Sequence, residues 1–222
     1  MSEPSKISVV LCGSGFKDGS EIRESVAALW ALSSKNIAFQ CFAPDAPQAD
    51  VINCYTQKTD PQTRNMLIEA ARIARGDIKP LNQLNHDEFQ GIVIPGGFGV
   101  AKNLCSFAKE GSKGSVRPDL QKILEEFHYQ KKPIGAICIA PALIALAFKN
   151  KNFRLTVGKT CEVSQEIERL GHKHKECATE SCIVDAQNKI VTTPAYMDDN
   201  ASLAQVFQGI EKLVAEVINL TF

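Results

Sequence analysis

Nucleophilic thiol chemistry is what the residue types and spacing around Cys138 allow. In Pro133-Ile134-Gly135-Ala136-Ile137-Cys138-Ile139-Ala140-Pro141, an apolar run of strand type leads straight into the cysteine. Small residues stand two positions to either side, at Ala136 and Ala140, and a helix-compatible stretch, Ala142 to Phe148, follows. This is the pattern of a nucleophile elbow, a strand-to-helix turn so tight that only small neighbours permit it. A helix starting there turns its free N–H groups and positive dipole end toward the sulfur, which favours thiolate over thiol. The other cysteines lack this setting. A buried core cysteine is the competing reading, since free Cys is among the most buried residue types.

A cysteine nucleophile also needs an oxyanion site and a proton carrier. Gly96-Gly97 closes an apolar strand, and glycine lets a backbone amide approach closely and turn with positive φ. The amide of Ile139, directly after the nucleophile, is the natural second donor. Taken alone, Pro95-Gly96-Gly97 also reads as an ordinary turn. The proton carrier is less obvious. His86, His128, His172 and His174 are the four histidines, and none follows Cys138 closely. His174-Lys175-Glu176 has a His-x-Glu shape but sits too near the cysteine in sequence. Glu21, opening the first helix after a Gly-rich loop, is the better candidate. A carboxylic acid beside a thiolate has its pKa raised and can donate a hydrogen bond to sulfur. The plain alternative is a helix-starting acid favoured by the macrodipole.

These residues need strands and helices to hold them. Ile7 to Leu11 reads as a buried first strand ending at Cys12-Gly13-Ser14-Gly15. Ser20 is expected to cap a helix from Glu21 to about Ser34, with apolar Ile22, Val26, Leu29 and Trp30 at helical spacing. Ile37 to Phe42 is a second strand, residues 46–64 look irregular, and Asn65 to Arg75 form a helix stopped by Gly76. Phe89 to Ile94 is a strand, followed by a polar, Gly-rich loop through Gly114 expected to be ordered and functional. Pro118 to Gln130 is a helix with Pro in its first turn. After the Cys138 unit come a strand at Phe153 to Val157 and a helix at Glu162 to Leu170. A hairpin across Ala186-Gln187-Asn188 joins Cys182–Asp185 to Lys189–Thr193, and a closing helix spans Ala201 to Leu220. Alternating strands and helices imply an α/β three-layer sandwich with a mostly parallel sheet, flavodoxin-like, in one domain over residues 1–222. Ligands in such folds bind beyond the carboxyl ends of strands.

The chain has 222 residues, with 25 basic and 25 acidic side chains. That balance carries no nucleic-acid footprint. No apolar run reaches the ~20 residues that span a bilayer. The start, Met1 to Lys6, has no apolar signal core. A soluble cytoplasmic protein with reduced thiols is therefore expected.

Several segments together carry a resemblance. They are Gly13-Ser14-Gly15-Phe16-Lys17-Asp18-Gly19-Ser20-Glu21, Cys41-Phe42-Ala43-Pro44-Asp45, the run from Arg64 to Arg72, the run from Ile94 to Leu104, Cys138-Ile139-Ala140-Pro141, and Ile190 to Met197. The chain resembles the PfpI-type protease and deglycase superfamily, a branch of the class I glutamine amidotransferase-like fold. Within it the chain is similar to ElbB-type isoprenoid-biosynthesis, lycopene-enhancing proteins. The resemblance implies Cys138 as nucleophile, Glu21 as its acidic partner, and the Gly96-Gly97 turn with Ile139 as oxyanion site. It also implies a homodimer and a weak glutathione-independent glyoxalase (lyase-type) activity, converting glyoxal, a small α-oxoaldehyde, to glycolate. Superfamily proteases and amidotransferases carry a histidine after the elbow cysteine or in a distant His-x-Glu. Ile139 stands in the first place here, which speaks against glutaminase and protease activity.

Other readings compete. Gly13-x-Gly15-x-x-x-Gly19 with Asp45 is an imperfect dinucleotide fingerprint. His172, His174, Cys177 and Cys182 offer zinc-type ligands at unusual spacing. The apolar face of the last helix and residues 46–64 offer a partner surface, or are simply core and loop. Neither cofactor nor metal is expected. The alternative to an enzyme is a reactive-cysteine sensor or a regulatory binding module, which needs only an accessible thiol of low pKa.

Overall fold

A computed structural model describes residues 6–221; all of Met1 to Lys6 but the last residue lies outside it. In chain order the elements are β1 (Lys6–Val10), α1 (Ile22–Ser34), β2 (Ala38–Ala43), β3 (Ile52–Asn53), β4 (Lys58–Thr59), α2 (Met66–Ile73), β5 (Ile78–Pro80) and β6 (Gly91–Ile94). There follow α3 (Phe107–Glu110), α4 (Pro118–Tyr129), β7 (Ile134–Ile137), α5 (Ala140–Ala147), β8 (Arg154–Leu155), α6 (Glu162–Arg169), β9 (Lys173–His174), β10 (Ile183–Asp185), β11 (Ile190–Thr193) and α7 (Leu203–Asn219).

The main sheet has seven strands in the order β10-β11-β7-β6-β1-β2-β5. All neighbours pair in parallel except β10, which runs antiparallel to β11 across the expected hairpin. Parallel strands must be covered on both faces, and two cores do so. Phe42, Phe89, Phe127, Leu143 and Phe153 pack on the face under α4 and α5. Ala27, Ala31, Val206, Ile210 and Leu213 pack on the face under α1 and α7. The architecture is thus the expected mostly parallel, flavodoxin-like α/β fold.

The register brings the carboxyl ends of β1, β6, β7 and β11 to one edge. Ile94 lies beside Ala136 of β7, and Thr193 of β11 lies beside Ile137. Gly96, Cys138 and the turn after Thr193 therefore leave the sheet side by side.

Several local expectations change. Helix α1 is capped by Glu21, whose carboxylate accepts the Glu24 N–H at 2.6 Å. Ser20 instead accepts the Cys12 N–H at 2.9 Å. The stripe Ile22, Val26 and Trp30 faces outward at 45–49% exposure, and alanines face the sheet. Small side chains let α1 lie close against α7, so its inward face is built of alanines and the larger apolar residues stand outside. The apolar face of α7 from Val206 to Val217 is core. Residues 46–64 include the short β3–β4 hairpin. The edge strand β5, with Pro80 at its end, has too short a run to show alternation, and Pro is tolerated at an edge. The segment after Gly99 is a π-helical turn (Val100–Leu104), then α3, then a 3-10 turn (Gly111–Lys113). A bridge between Cys105 and Val116 closes it at the base.

Candidate active site

Cys138 sits at the end of β7 with φ +62°, in the left-handed region that a side-chain-bearing residue adopts only under constraint. Its N–H is held by Thr193 C=O at 2.9 Å, and α5 begins two residues on. Ala136 and Ala140 are fully buried against this turn, as an elbow demands. The sulfur is nearly enclosed, with the residue 7% exposed.

The backbone N–H groups of Gly97 and Ile139 lie near enough to the sulfur to pull its pKa down. Gly97 adopts φ +100°, and a Cβ there would run into Gly19 C=O and Glu21 N, so only glycine fits. Gly96 behaves differently from the expectation that placed it in the oxyanion site. Its N–H donates to Glu24 Oε2 at 3.0 Å and is spent on that carboxyl. A Cβ on Gly96 would press into both Cys138 Cβ and Glu24 Oε2, which places the carboxyl and the cysteine around one point.

The acid that meets the thiol is Glu24, one helical turn beyond the expected Glu21. Glu24 is fully buried, its Oε1 accepts the Tyr196 N–H at 3.2 Å, and its side chain faces Cys138. Glu21 is pulled to the helix start, where its carboxylate caps α1 and its own N–H donates to Gly96 C=O at 2.9 Å. Position explains the difference. Residue 21 caps the helix end, whereas residue 24 lies on the face of α1 turned to the sheet. A glutamate among Ser25, Ala27 and Ala28 on that buried face is the signal that reading the helix face would have shown.

Burial is the main cause of the charge states here. It pushes the Glu24 carboxyl up to about 8, helped by the neighbouring Glu21 charge and opposed by the Tyr196, Cys138 and Gly96 hydrogen bonds. Burial also raises the Cys138 thiol well above its usual range, with the Glu24 charge adding to it and the Gly97 and Ile139 N–H groups opposing it. Two acids in one enclosed space cannot both ionise readily, so they titrate as a pair. When Glu24 keeps its proton, its repulsion vanishes and every donor around the sulfur favours thiolate.

The histidines stand elsewhere. His86 lies beside Asp87 and Glu126. His128 packs on Phe148 and Phe153. His172 Nδ1 accepts the Phe153 N–H, its Nε2 meets Ala145 C=O, and His174 Nε2 accepts the Val157 N–H. Both rings of the zinc alternative are thus engaged by backbone, and among the described residues no group of three or more His, Cys, Asp or Glu is arranged to hold a metal. The Gly13–Gly19 loop closes on itself instead of cradling a phosphate. Gly15 N–H donates to Ser20 C=O, Gly19 N–H to Gly15 C=O, and the Asn103 amide bonds Cys12 and Asp18 carbonyls.

A groove of about 1090 Å³ opens beside the elbow, between the 98–113 segment and α6. Ile139 and Phe98, the residues that follow Cys138 and Gly97, form part of its wall. Glu166 ties the two sides together by accepting the Ser112 N–H at 2.7 Å.

The model of the DJ-1/PfpI family matches residues 76–207. The rat mitochondrial ES1 protein homolog is 39% identical over 97% of this chain and 84% of its own length. The human mitochondrial glutamine amidotransferase-like class 1 domain-containing protein 3 is 40% identical over 97% of this chain and 83% of its own. A crystal structure of an isoprenoid biosynthesis protein with amidotransferase-like domain from Ehrlichia chaffeensis superposes with a TM-score of 0.91 at 36% identity, covering 97% of this chain and 99% of that one. Glyoxalase III from Candida albicans shares the fold, with a TM-score of 0.64 at 15% identity over 97% of each chain. The cytoplasmic expectation is corrected by the mitochondrial relatives. It rested on a start without an apolar signal core or an Arg-rich transit pattern and on the lack of an apolar run of bilayer length, and none of these encodes a compartment. By its sequence match and by the fold of its nearly full-length relatives, the chain belongs to the DJ-1/PfpI family.

Proposed function

We propose that the protein is a cysteine-dependent glyoxalase-type enzyme that converts a small α-oxoaldehyde to the 2-hydroxy acid. One observation carries this reading: a thiol on a strained elbow faces two backbone N–H donors and a buried carboxyl that holds its proton near neutral pH. The Cys138 thiolate adds to the aldehyde carbon, and the resulting alkoxide is met by the N–H donors and protonated by Glu24. The Glu24 carboxylate then removes the proton from the thiol-bearing carbon, giving an enediolate, and the hydroxyl proton of that carbon passes to the neighbouring oxygen. Glu24 delivers its proton to the neighbouring carbon, leaving a thioester of the 2-hydroxy acid and the Glu24 carboxylate. Water hydrolyses the thioester, so aldehyde plus water gives hydroxy acid and free thiol. The oxidation of one carbon is balanced by reduction of its neighbour, and no external electron carrier is needed.

A peroxide sensor requires an accessible thiol of low pKa. Cys138 is nearly enclosed and has beside it a buried carboxyl, a proton carrier that a sensor does not need, which favours the enzyme over the sensor. Glu24 does the proton work that a histidine performs in other cysteine enzymes. Glu21 supports it by capping α1 and raising its pKa.

The test is direct detection of glycolate from glyoxal with wild type, Cys138→Ala, Glu24→Gln and Glu21→Gln. Cys138→Ala is expected to abolish turnover, and Glu24→Gln to lower kcat at least about 100-fold, the usual scale of general acid–base catalysis. Glu21→Gln should retain more activity than Glu24→Gln. Unchanged turnover in Cys138→Ala would overturn the proposal.

A further inference from the structure

Tyr196 is gripped at both ends by one helix. Its hydroxyl accepts a hydrogen bond from Arg23 Nη1 at 3.1 Å, with the guanidinium 6.0 Å from the ring centroid. Its backbone N–H donates to Glu24 Oε1 at 3.2 Å. Arg23 and Glu24 are consecutive residues of α1, about 100° apart around its axis. Arg23 therefore stands at the surface while Glu24 is buried, and the half-buried Tyr196 spans the step between them. Nothing in the reaction proposed above uses Arg23 or the Tyr196 hydroxyl.

The turn that carries Tyr196 needs such a tie. It leaves β11 through Pro194 as a single 3-10 turn, Ala195–Met197. Ala195 adopts φ +45°, a left-handed conformation that persists in a side-chain-bearing residue only where the surroundings hold it. The turn's own hydrogen bonds, from Met197 N–H to Pro194 C=O and from Asp198 N–H to Ala195 C=O, are local. Among the described residues, the two hydrogen bonds that join Tyr196 to the rest of the chain both go to α1.

The two oxygens of the Glu24 carboxyl are held unequally. Oε2 takes the Gly96 N–H at 3.0 Å, from a residue that follows β6 and is placed by its register on β7. Oε1 depends on the Tyr196 turn. With that N–H withdrawn, the carboxyl keeps one donor and can swing about it, away from the sulfur. The same turn starts from Thr193, whose C=O holds the Cys138 N–H at 2.9 Å. One bracket thus sets both members of the thiol–carboxyl pair.

We propose that Tyr196, clamped by Arg23, is the positioning residue that holds the Glu24 carboxyl on Cys138. The proposal rests on the reading of Glu24 as proton carrier and adds how that carboxyl is kept in place from the surface. The titratable groups that face the carboxyl are Glu21 on α1 and Cys138 at the end of β7, beside the Tyr196 and Gly96 N–H groups.

The experiment follows the carboxyl carbon-13 NMR shift of Glu24 against pH, assigned with Glu24→Gln. It compares wild type, Tyr196→Phe, Arg23→Ala, Arg23→Lys and the double variant Tyr196→Phe with Arg23→Ala. A hydrogen bond to a carboxylate favours its charged form, so weakening the Tyr196 N–H contact moves the midpoint up. Tyr196→Phe and Arg23→Ala are each expected to raise it by about half a pH unit, the scale of one hydrogen bond. The double variant should go no higher than either single one, because both act through one contact. Arg23→Lys keeps a donor for the hydroxyl and should stay near wild type. Turnover of glyoxal by Tyr196→Phe should show kcat lowered about threefold with KM within about twofold of wild type. An unmoved midpoint in Tyr196→Phe overturns the proposal. So do two shifts that add in the double variant, since the Arg23 charge would then act on the carboxyl without Tyr196. If Tyr196→Phe fails to fold, as judged by circular dichroism, Arg23→Ala on the exposed face of α1 decides, and an unmoved midpoint there overturns the proposal. The titration needs no substrate. Failure of the underlying reaction is separate and shows as glyoxal turnover that survives Cys138→Ala.

Discussion

Replacing Glu24 by Gln tests the buried carboxyl through stability, independently of turnover. Glu24 is wholly buried and its carboxyl is pushed up from 4.5 to about 8. An acid with a raised folded pKa keeps its proton in the folded chain at pH values where the unfolded chain has lost it. The folded state then binds more protons, so stability falls as pH rises. The contribution is fully present below the unfolded value and is lost by the time pH passes the folded one. Each pH unit inside that window is worth 1.36 kcal/mol, so wild type should lose about 3 kcal/mol between about pH 5 and pH 7.5 through this group. Burial lowers His128, His172 and His174, which contributes with the opposite sign near pH 6.5. Subtracting the variant from wild type removes that part. Gln keeps the shape but can accept only one of the Gly96 and Tyr196 N–H groups, a cost of about 1–3 kcal/mol that is the same at both pH values. Urea unfolding followed by circular dichroism at the two pH values should therefore show the variant gaining about 3 kcal/mol on wild type at the higher pH. A relative change below about 0.5 kcal/mol would refute the raised pKa and with it the protonated acid beside the thiol.

Other outcomes follow from the same geometry. Because the Glu24 charge pushes the Cys138 thiol up, Glu24→Gln should move the pH midpoint of thiolate ultraviolet absorbance downward, and an upward shift would sink that assignment. Gly97→Ala forces a Cβ against Gly19 C=O and Glu21 N at φ +100°, so urea unfolding should show a loss of at least about 1–3 kcal/mol. A stable Gly97→Ala protein with full turnover would contradict the elbow described here. Asn103→Ala removes the amide that ties the π-helical turn to the Cys12 and Asp18 carbonyls and to Ala49 N–H. It should cost about 1–3 kcal/mol, read as a lower Tm.

The parallel sheet was legible because its strands are short β-branched runs, each stopped by glycine or proline, and because Cys138 interrupts one of them between small residues. Strand β5 escaped because three residues containing Lys79 and Pro80 show no period. The 99–114 segment escaped because helical pieces of three to five residues carry no periodic signal, while its glycines read as loop. Helix α1 shows the deeper reason. Its apolar residues mark the outward face, and its alanines and Glu24 mark the inward one. Hydrophobicity therefore does not single out the inward face, and the acid beside the thiol was sought at the helix end instead of within it. The Gly96-Gly97 turn does lie beside Cys138, but the Gly96 amide serves the Glu24 carboxyl and the Gly97 amide lies by the sulfur. Only the register of β6 against β7 decides which.

The hydrogen bonds that hold Glu24 reach positions 72 and 172 residues away in the chain. Closing loops of that length costs entropy that local contacts do not repay, so such links form late when a chain folds. During synthesis, Cys138 emerges well before Tyr196 and remains an ordinary thiol until β11 docks beside β7. The surroundings of this sulfur are therefore a product of completed folding, and a chain halted part-way carries Cys138 without the carboxyl that the finished form sets beside it.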